Sequence, residues 1–138
     1  MNKNKTIQII PIILLIVFSL SLLTGCASKL PDGFDEVEVK SAAENVIMLL
    51  DQRNADDLSD LLTEQMKLGL TEDVLAQIFA LLDEAGAVQT IEEMQTTGST
   101  ESSTTYGVVV AKVKHANHEL TYTISFDLQM KLAGLYFK

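Results

Sequence analysis

The sequence predicts an α+β domain in which three helices precede a four-stranded antiparallel sheet. Three observations carry that reading. Apolar residues between Phe34 and Gly86 recur at spacings of three and four, the period falls towards two beyond Gly86, and Asn, Asp, Thr and Gly punctuate the chain where helices start and stop. Helices that come first and strands that come after make segregated layers.

An export signal comes before that domain. Lys3 and Lys5 make a short cationic start, and Ile7 to Leu23 is an uncharged run rich in Ile and Leu, the layout of a secretory signal. At seventeen residues the run is shorter than the roughly 20 that cross a bilayer as a helix, and a retained single-pass anchor stays open as the second reading. Leu23-Thr24-Gly25-Cys26 favours the first, because it resembles the bacterial lipoprotein lipobox. That resemblance implies diacylglyceryl transfer to the Cys26 sulfur and cleavage between Gly25 and Cys26. A thiol is the strong nucleophile such a transfer needs, and two acyl chains are enough for stable anchoring. The expected organisation is a signal peptide over 1–25, a lipidated tether over 26–33 and one domain over 34–138, held on the extracytoplasmic face of the cell membrane. Cys26 is the only cysteine, so the domain folds without an internal disulfide. Residues 26–138 number 113, enough for one core that buries about two-thirds of the unfolded surface.

Charge is segregated along the chain. Pro31 to Glu84 holds fourteen acids against Lys40, Arg53 and Lys67, whereas Ala85 to Lys138 holds five acids and four lysines. An acidic chain of this kind is no nucleic-acid binder, since that binding depends on neutralising phosphates with Lys and Arg. Its acidic half is held away from an anionic membrane surface. The plain reading is a solvated face; a docking surface for a cationic partner is the functional one.

The first helix begins near Phe34 and should bury Val39, Ala43, Val46, Ile47 and Leu50 while exposing Glu38, Glu44 and Asp51. Arg53 to Asp57 interrupts it. Asn54 suits an N-cap for a shorter second helix through Leu58, Leu61, Leu62 and Met66. Gly69 ends that element. Thr71 can cap the third, Glu72 and Asp73 suit the positive end of its dipole, and Val74, Ile78, Leu81, Leu82 and Ala85 form its expected buried stripe before Gly86 stops it. Val88 to Thr96 reads as a weak strand, bulged or at an edge because Ile91 and Met94 break strict alternation. Thr97 to Thr105 reads as a Ser/Thr-rich loop. Tyr106 to His115, with Val108, Val109, Val110 and Val113, reads as a central strand buried on much of both faces, and Ala116 to His118 as a turn. Leu120, Tyr122, Ile124 and Phe126 alternate cleanly with polar residues, and Leu132 to Phe137 closes the sheet, Gly134 marking a bulge or close approach.

This order, together with the ending Lys131-Leu132-Ala133-Gly134-Leu135-Tyr136-Phe137 and the segment Met66 to Thr71, resembles the bacterial domain of unknown function numbered 3887. The resemblance covers roughly Phe34 to Lys138. It implies a nuclear-transport-factor-two-like frame, in which a curved sheet wraps its helices into a cone, and an extracytoplasmic, often tethered, setting. It implies no catalytic residues. Asp127-Leu128-Gln129-Met130 departs from the family's polar, Gly-containing turn and offers Leu128 and Met130 as an exposed apolar contact.

No reactive constellation stands out. His115 and His118 have a His-x-x-His spacing without a third ligand, which would hold Zn²⁺ weakly, so they read as polar turn residues and no metal site is expected. Adjacent carboxylates such as Glu92 and Glu93 diverge on either kind of element. No glycine-flanked Ser or phosphate-binding loop is present, and no cofactor is called for. Tyr106, Tyr122, Phe126 and Tyr136 are the candidate pocket residues, able to line or to fill the space between sheet and helices. The expected role is non-catalytic: binding of a protein partner, a second copy through the sheet, or a small ligand. A small hydrolase or isomerase, or an apolar-ligand carrier using that pocket, is the alternative.

Overall fold

The computed structural model describes residues 29–138, so the signal stretch, Gly25 and Cys26 lie outside the described residues. Four helices come first: α1 (Glu36–Asp51), α2 (Ala55–Leu61), α3 (Glu64–Gly69) and α4 (Glu72–Ala85). Four strands follow, β1 (Val88–Glu101), β2 (Thr104–His115), β3 (Glu119–Phe126) and β4 (Leu132–Phe137), paired antiparallel in the order β1-β2-β3-β4. The sheet is open, and the helices pack on one face. Among the described residues no helix is long and apolar enough to cross a membrane.

Helix α1 starts where the Asp35 carboxylate accepts from the Glu38 amide at 2.9 Å. It buries the expected stripe completely, Val39, Ala43, Val46, Ile47 and Leu50 all being inaccessible. Burying each Val, Ile or Leu contributes about 1.5–3 kcal/mol, so this helix anchors the layer. Asp51, expected to be exposed, is half-buried and accepts from the Val88 amide at 2.9 Å, tying the end of α1 to the start of β1.

Three helices were expected and four are present. The second divides because Leu62 turns extended (φ −71°, ψ 145°) and Thr63 caps a new helix by accepting from the Met66 amide. The break is stabilised from far away: Leu62 forms a parallel bridge with Leu132, and the Thr63 amide donates to the Leu132 carbonyl at 3.0 Å. Asn54 and Thr71 cap α2 and α4 as their sequence positions suggest.

Helix α4 is rotated from its expected orientation. Leu82 and Ala85 are buried and Leu75, Ile78 and Phe79 pack against the core, but Val74 is 39% and Leu81 55% exposed. Its apolar sector is wider than the core can cover.

The sheet departs most from expectation between Thr97 and Thr105. That stretch is no loop, since β1 and β2 continue in register to Glu101↔Thr104 and close on Ser102-Ser103, both left-handed at φ 48° and 68°. Positive φ at both central residues makes a tight two-residue hairpin. Elsewhere β1 shifts register twice, between Val88 and Thr90 and between Ile91 and Glu93, and only the second falls where alternation failed. A register shift between Ile91 and Glu93 leaves Glu92 extra on the edge strand β1 and puts Ile91 and Met94 on the same face, and Ala133 is extra beside Gly134 on β4.

A strap, Lys29 to Phe34, crosses the inner face of the long hairpin. Gly98 and Gly107 pair opposite each other beneath it. A Cβ on Gly98 would lie 2.5 Å from Pro31 Cγ, and one on Gly107 2.7 Å from Phe34 Cδ1, so both glycines are the space the strap occupies. Leu128 closes over Gly33. The Asp127 side chain organises the β3–β4 turn by accepting from the Gln129 and Lys131 amides, with Met130 in the left-handed region, so no glycine is needed there.

Candidate functional site

Strand parity sorts the four candidate pocket residues into two pairs. On β3, Tyr122 and Phe126 point inward and are essentially inaccessible. Tyr106 neighbours Gly107, whose inner side carries the strap, and so projects outward. Tyr136 pairs with Thr123, between the inward Tyr122 and Ile124, and is 61% exposed on the outer face. The four therefore share no pocket. The space between helices and sheet is occupied by Ile47, Leu50, Leu58, Tyr122, Ile124 and Phe126.

The inner face contains a polar pair that sequence reasoning missed. His115, expected as a polar residue flanking the turn, is 3% exposed. Its Nδ1 lies 2.7 Å from the Gly86 carbonyl oxygen and its Nε2 3.1 Å from the Tyr122 hydroxyl. A carbonyl can only accept, so Nδ1 carries a proton, and in the neutral ring Nε2 accepts from Tyr122 O–H. Burial pushes the Tyr122 phenol well above the ordinary tyrosine range, the Asp51 carboxylate pushes it further, and the Arg53 guanidinium offsets part of this. Tyr122 stays a donor across the biological range. Phe137 packs on its ring at 5.3 Å between centroids.

This pair belongs to a corner that finishes α4. The amides of Ala116 and Asn117 donate to the Ala87 and Ala85 carbonyls, and the Asn117 side chain donates to the Glu84 carbonyl. The β2–β3 turn thus satisfies carbonyls that a helix end leaves without partners. Gly86 makes the approach feasible at φ 84°, where a Cβ would lie 2.8 Å from that of Ala116. Both His115 nitrogens are engaged and neither ring reaches solvent, so the pair holds elements together and has no open side for a reacting group. His118 is exposed; it shares only a backbone bond with His115. Among the described residues no group of three metal-ligating side chains converges.

The outer face is the other candidate. No helix covers it. Its centre is Val108, Val110, Tyr106 and Tyr136, bordered by Thr97, Thr123 and Ser125, and Val108 is only 7% exposed because these neighbours close around it. Lys112 and Lys114 project at one end, with Glu93 3.7 Å from Lys112. Two surface depressions lie elsewhere. One, of about 460 Å³, follows the strap; the other, of about 190 Å³, lies between α2, α3 and α4 beside Leu58, Leu70 and Leu75.

Comparison with known proteins agrees with the fold. The family model described as "Protein of unknown function (DUF3887)" matches residues 43–135. The NMR structure of a protein from Ruminococcus gnavus ATCC 29149 superposes with a TM-score of 0.71 at 22% identity, over 80% of this chain and 96% of that one. None of the curated proteins matches.

Proposed function

The chain belongs to the DUF3887 family of proteins of unknown function, and on that premise we propose that it is a lipid-anchored extracytoplasmic protein whose domain associates, without catalysis, with a protein partner or a second copy. One observation carries the association: an outer sheet face on which Tyr136 is exposed and Tyr106 and Val110 are partly exposed, with no helix over it. Aromatic and β-branched side chains on a rigid sheet give apolar contact at little entropic cost. The anchor rests on Leu23-Thr24-Gly25-Cys26 and the apolar run before it.

A nuclear-transport-factor-two-like relationship is part of this reading, supported by the long meander and the helices confined to one face. The enzyme or apolar-carrier alternative has less support, because large apolar side chains fill the space it would use. To test the anchor, the mass of the mature N-terminus is measured and Cys26 is replaced by Ala. Diacylglyceryl on Cys26, lost with precursor accumulation in Cys26→Ala, is the expected result; an unmodified Cys26 in mature chain sinks the lipoprotein reading. For association, cross-linking of the full-length chain in membranes should be lost in Val110→Lys while its thermal midpoint is kept. Unchanged cross-linking rules out the outer face.

A further inference from the structure

The strap fixes where residue 29 sits on the domain, and an anchor at Cys26 keeps that part of the surface near the membrane. Pro31 and Phe34 sit on the Gly98–Gly107 pair, so the strap is part of the packed domain as far back as Leu30. Cys26 lies three residues before Lys29, a reach of about 10 Å at roughly 3.3–3.6 Å per extended residue. The hairpin tip lies four residues beyond Gly98, about 13 Å further along β1. Directed towards the tip, the tether would span most of that distance. A chain end held at headgroup level leaves the hairpin able to touch the same level.

The composition of that hairpin differs from the rest of the chain. Thr96 to Thr105 has one charged residue, Glu101, among ten, and Thr100, Ser102, Ser103 and Thr104 are exposed hydroxyls. The four helices instead carry twelve acids, Asp32 being on the strap, and an anionic leaflet repels them. We propose that the β1–β2 hairpin is the surface on which the anchored domain meets lipid headgroups, its Ser and Thr hydroxyls bonding to headgroup phosphates and the acidic helices turned away. This rests on the anchor reading above. The strap is the positioning element, because releasing Pro31 and Phe34 from the two glycines would let the domain tumble on a loose tether.

The test uses full-length lipidated chain in vesicles of phosphatidylethanolamine and phosphatidylglycerol, with a fluorophore at position 103 (Ser103→Cys) or, on α4, at position 80 (Ala80→Cys). A lipid-borne nitroxide quencher should dim the label at 103 more than that at 80. Adding Gly98→Val, which evicts Pro31, should abolish the difference while the chain still sediments with vesicles. Equal quenching at 103 and 80 in chain that sediments overturns the hairpin proposal and leaves the anchor standing. Chain that fails to sediment overturns both. Circular dichroism of the Gly98→Val chain separates strap release from unfolding, and the comparison of 103 with 80 does not depend on that variant.

Discussion

Replacing Tyr122 by Phe tests the buried corner most directly. The ring and its contact with Phe137 survive, and only the hydroxyl is removed. His115 Nε2 then loses its donor at a site 3% exposed. A net hydrogen bond contributes about 0.5–1.5 kcal/mol and an orphaned buried acceptor costs about 1–3 kcal/mol, so Tyr122→Phe should destabilise by about 2 kcal/mol, or about 8–12 °C in Tm for a domain of this size. His115→Leu leaves both the Tyr122 hydroxyl and the Gly86 carbonyl without a partner and should cost at least as much. The double variant removes donor and acceptor together, so it should be about 1–2 kcal/mol more stable than the two losses summed. Urea unfolding at neutral pH measures all three. The alkaline limb gives a second readout. Tyr122 holds its proton more tightly folded than at its ordinary value of 10.0, so its contribution is fully present below about pH 10 and declines as pH rises, because the unfolded chain gives up the proton first. The decline attributable to this residue is at most about 1.4 kcal/mol per pH unit, and Tyr122→Phe should remove it. A cost below about 0.5 kcal/mol, or losses that simply add, would refute the paired arrangement.

Two further variants probe backbone positions. Ser102→Asn with Ser103→Gly supplies the residues a two-residue hairpin with both φ positive prefers, and should stabilise by about 1 kcal/mol, read as a higher urea midpoint at unchanged slope. An unchanged midpoint would mean the turn is not strained. Gly86→Ala meets both a φ of 84° and the Ala116 methyl, and should cost about 2–4 kcal/mol; a thermal midpoint within a degree or two of the native one would show that the corner relaxes freely.

Local signals were legible where the chain itself supplied the cause. Five apolar residues at helical spacing dictate the buried side of α1, and the failed alternation at Ile91 and Met94 announces the bulge that puts both on the core side. What could not be read has its cause elsewhere in the chain. The break at Leu62–Thr63 depends on Leu132, seventy positions later, and Gly98 and Gly107 resemble loop glycines until Pro31 and Phe34 are laid over them. Ser102-Ser103 lacks the Asn-Gly signature that marks a tight hairpin. In α4 the apolar sector includes both Val74–Leu81 and Leu75–Phe79, and periodicity cannot choose which half meets the core. For the candidate site, the alternation that identified β3 could also have separated Tyr136 from Tyr122, had parity been carried across the β3–β4 turn. His115 gave no such clue, because its partners are a carbonyl after α4 and a hydroxyl on the next strand.

The bridge between Leu62 and Leu132 also bears on how copies of this domain can meet. An open sheet offers two unpaired borders, each a template for another strand and hence for runaway polymers. Here one border is interrupted at two register shifts and carries the adjacent Glu92 and Glu93, and the other is six residues long, with Leu132 already occupied by the α2–α3 junction. Sheet extension is thereby discouraged along Val88–Glu93 and at Leu132. Where these features lie, a neighbouring copy finds no free, regular strand border on which to add.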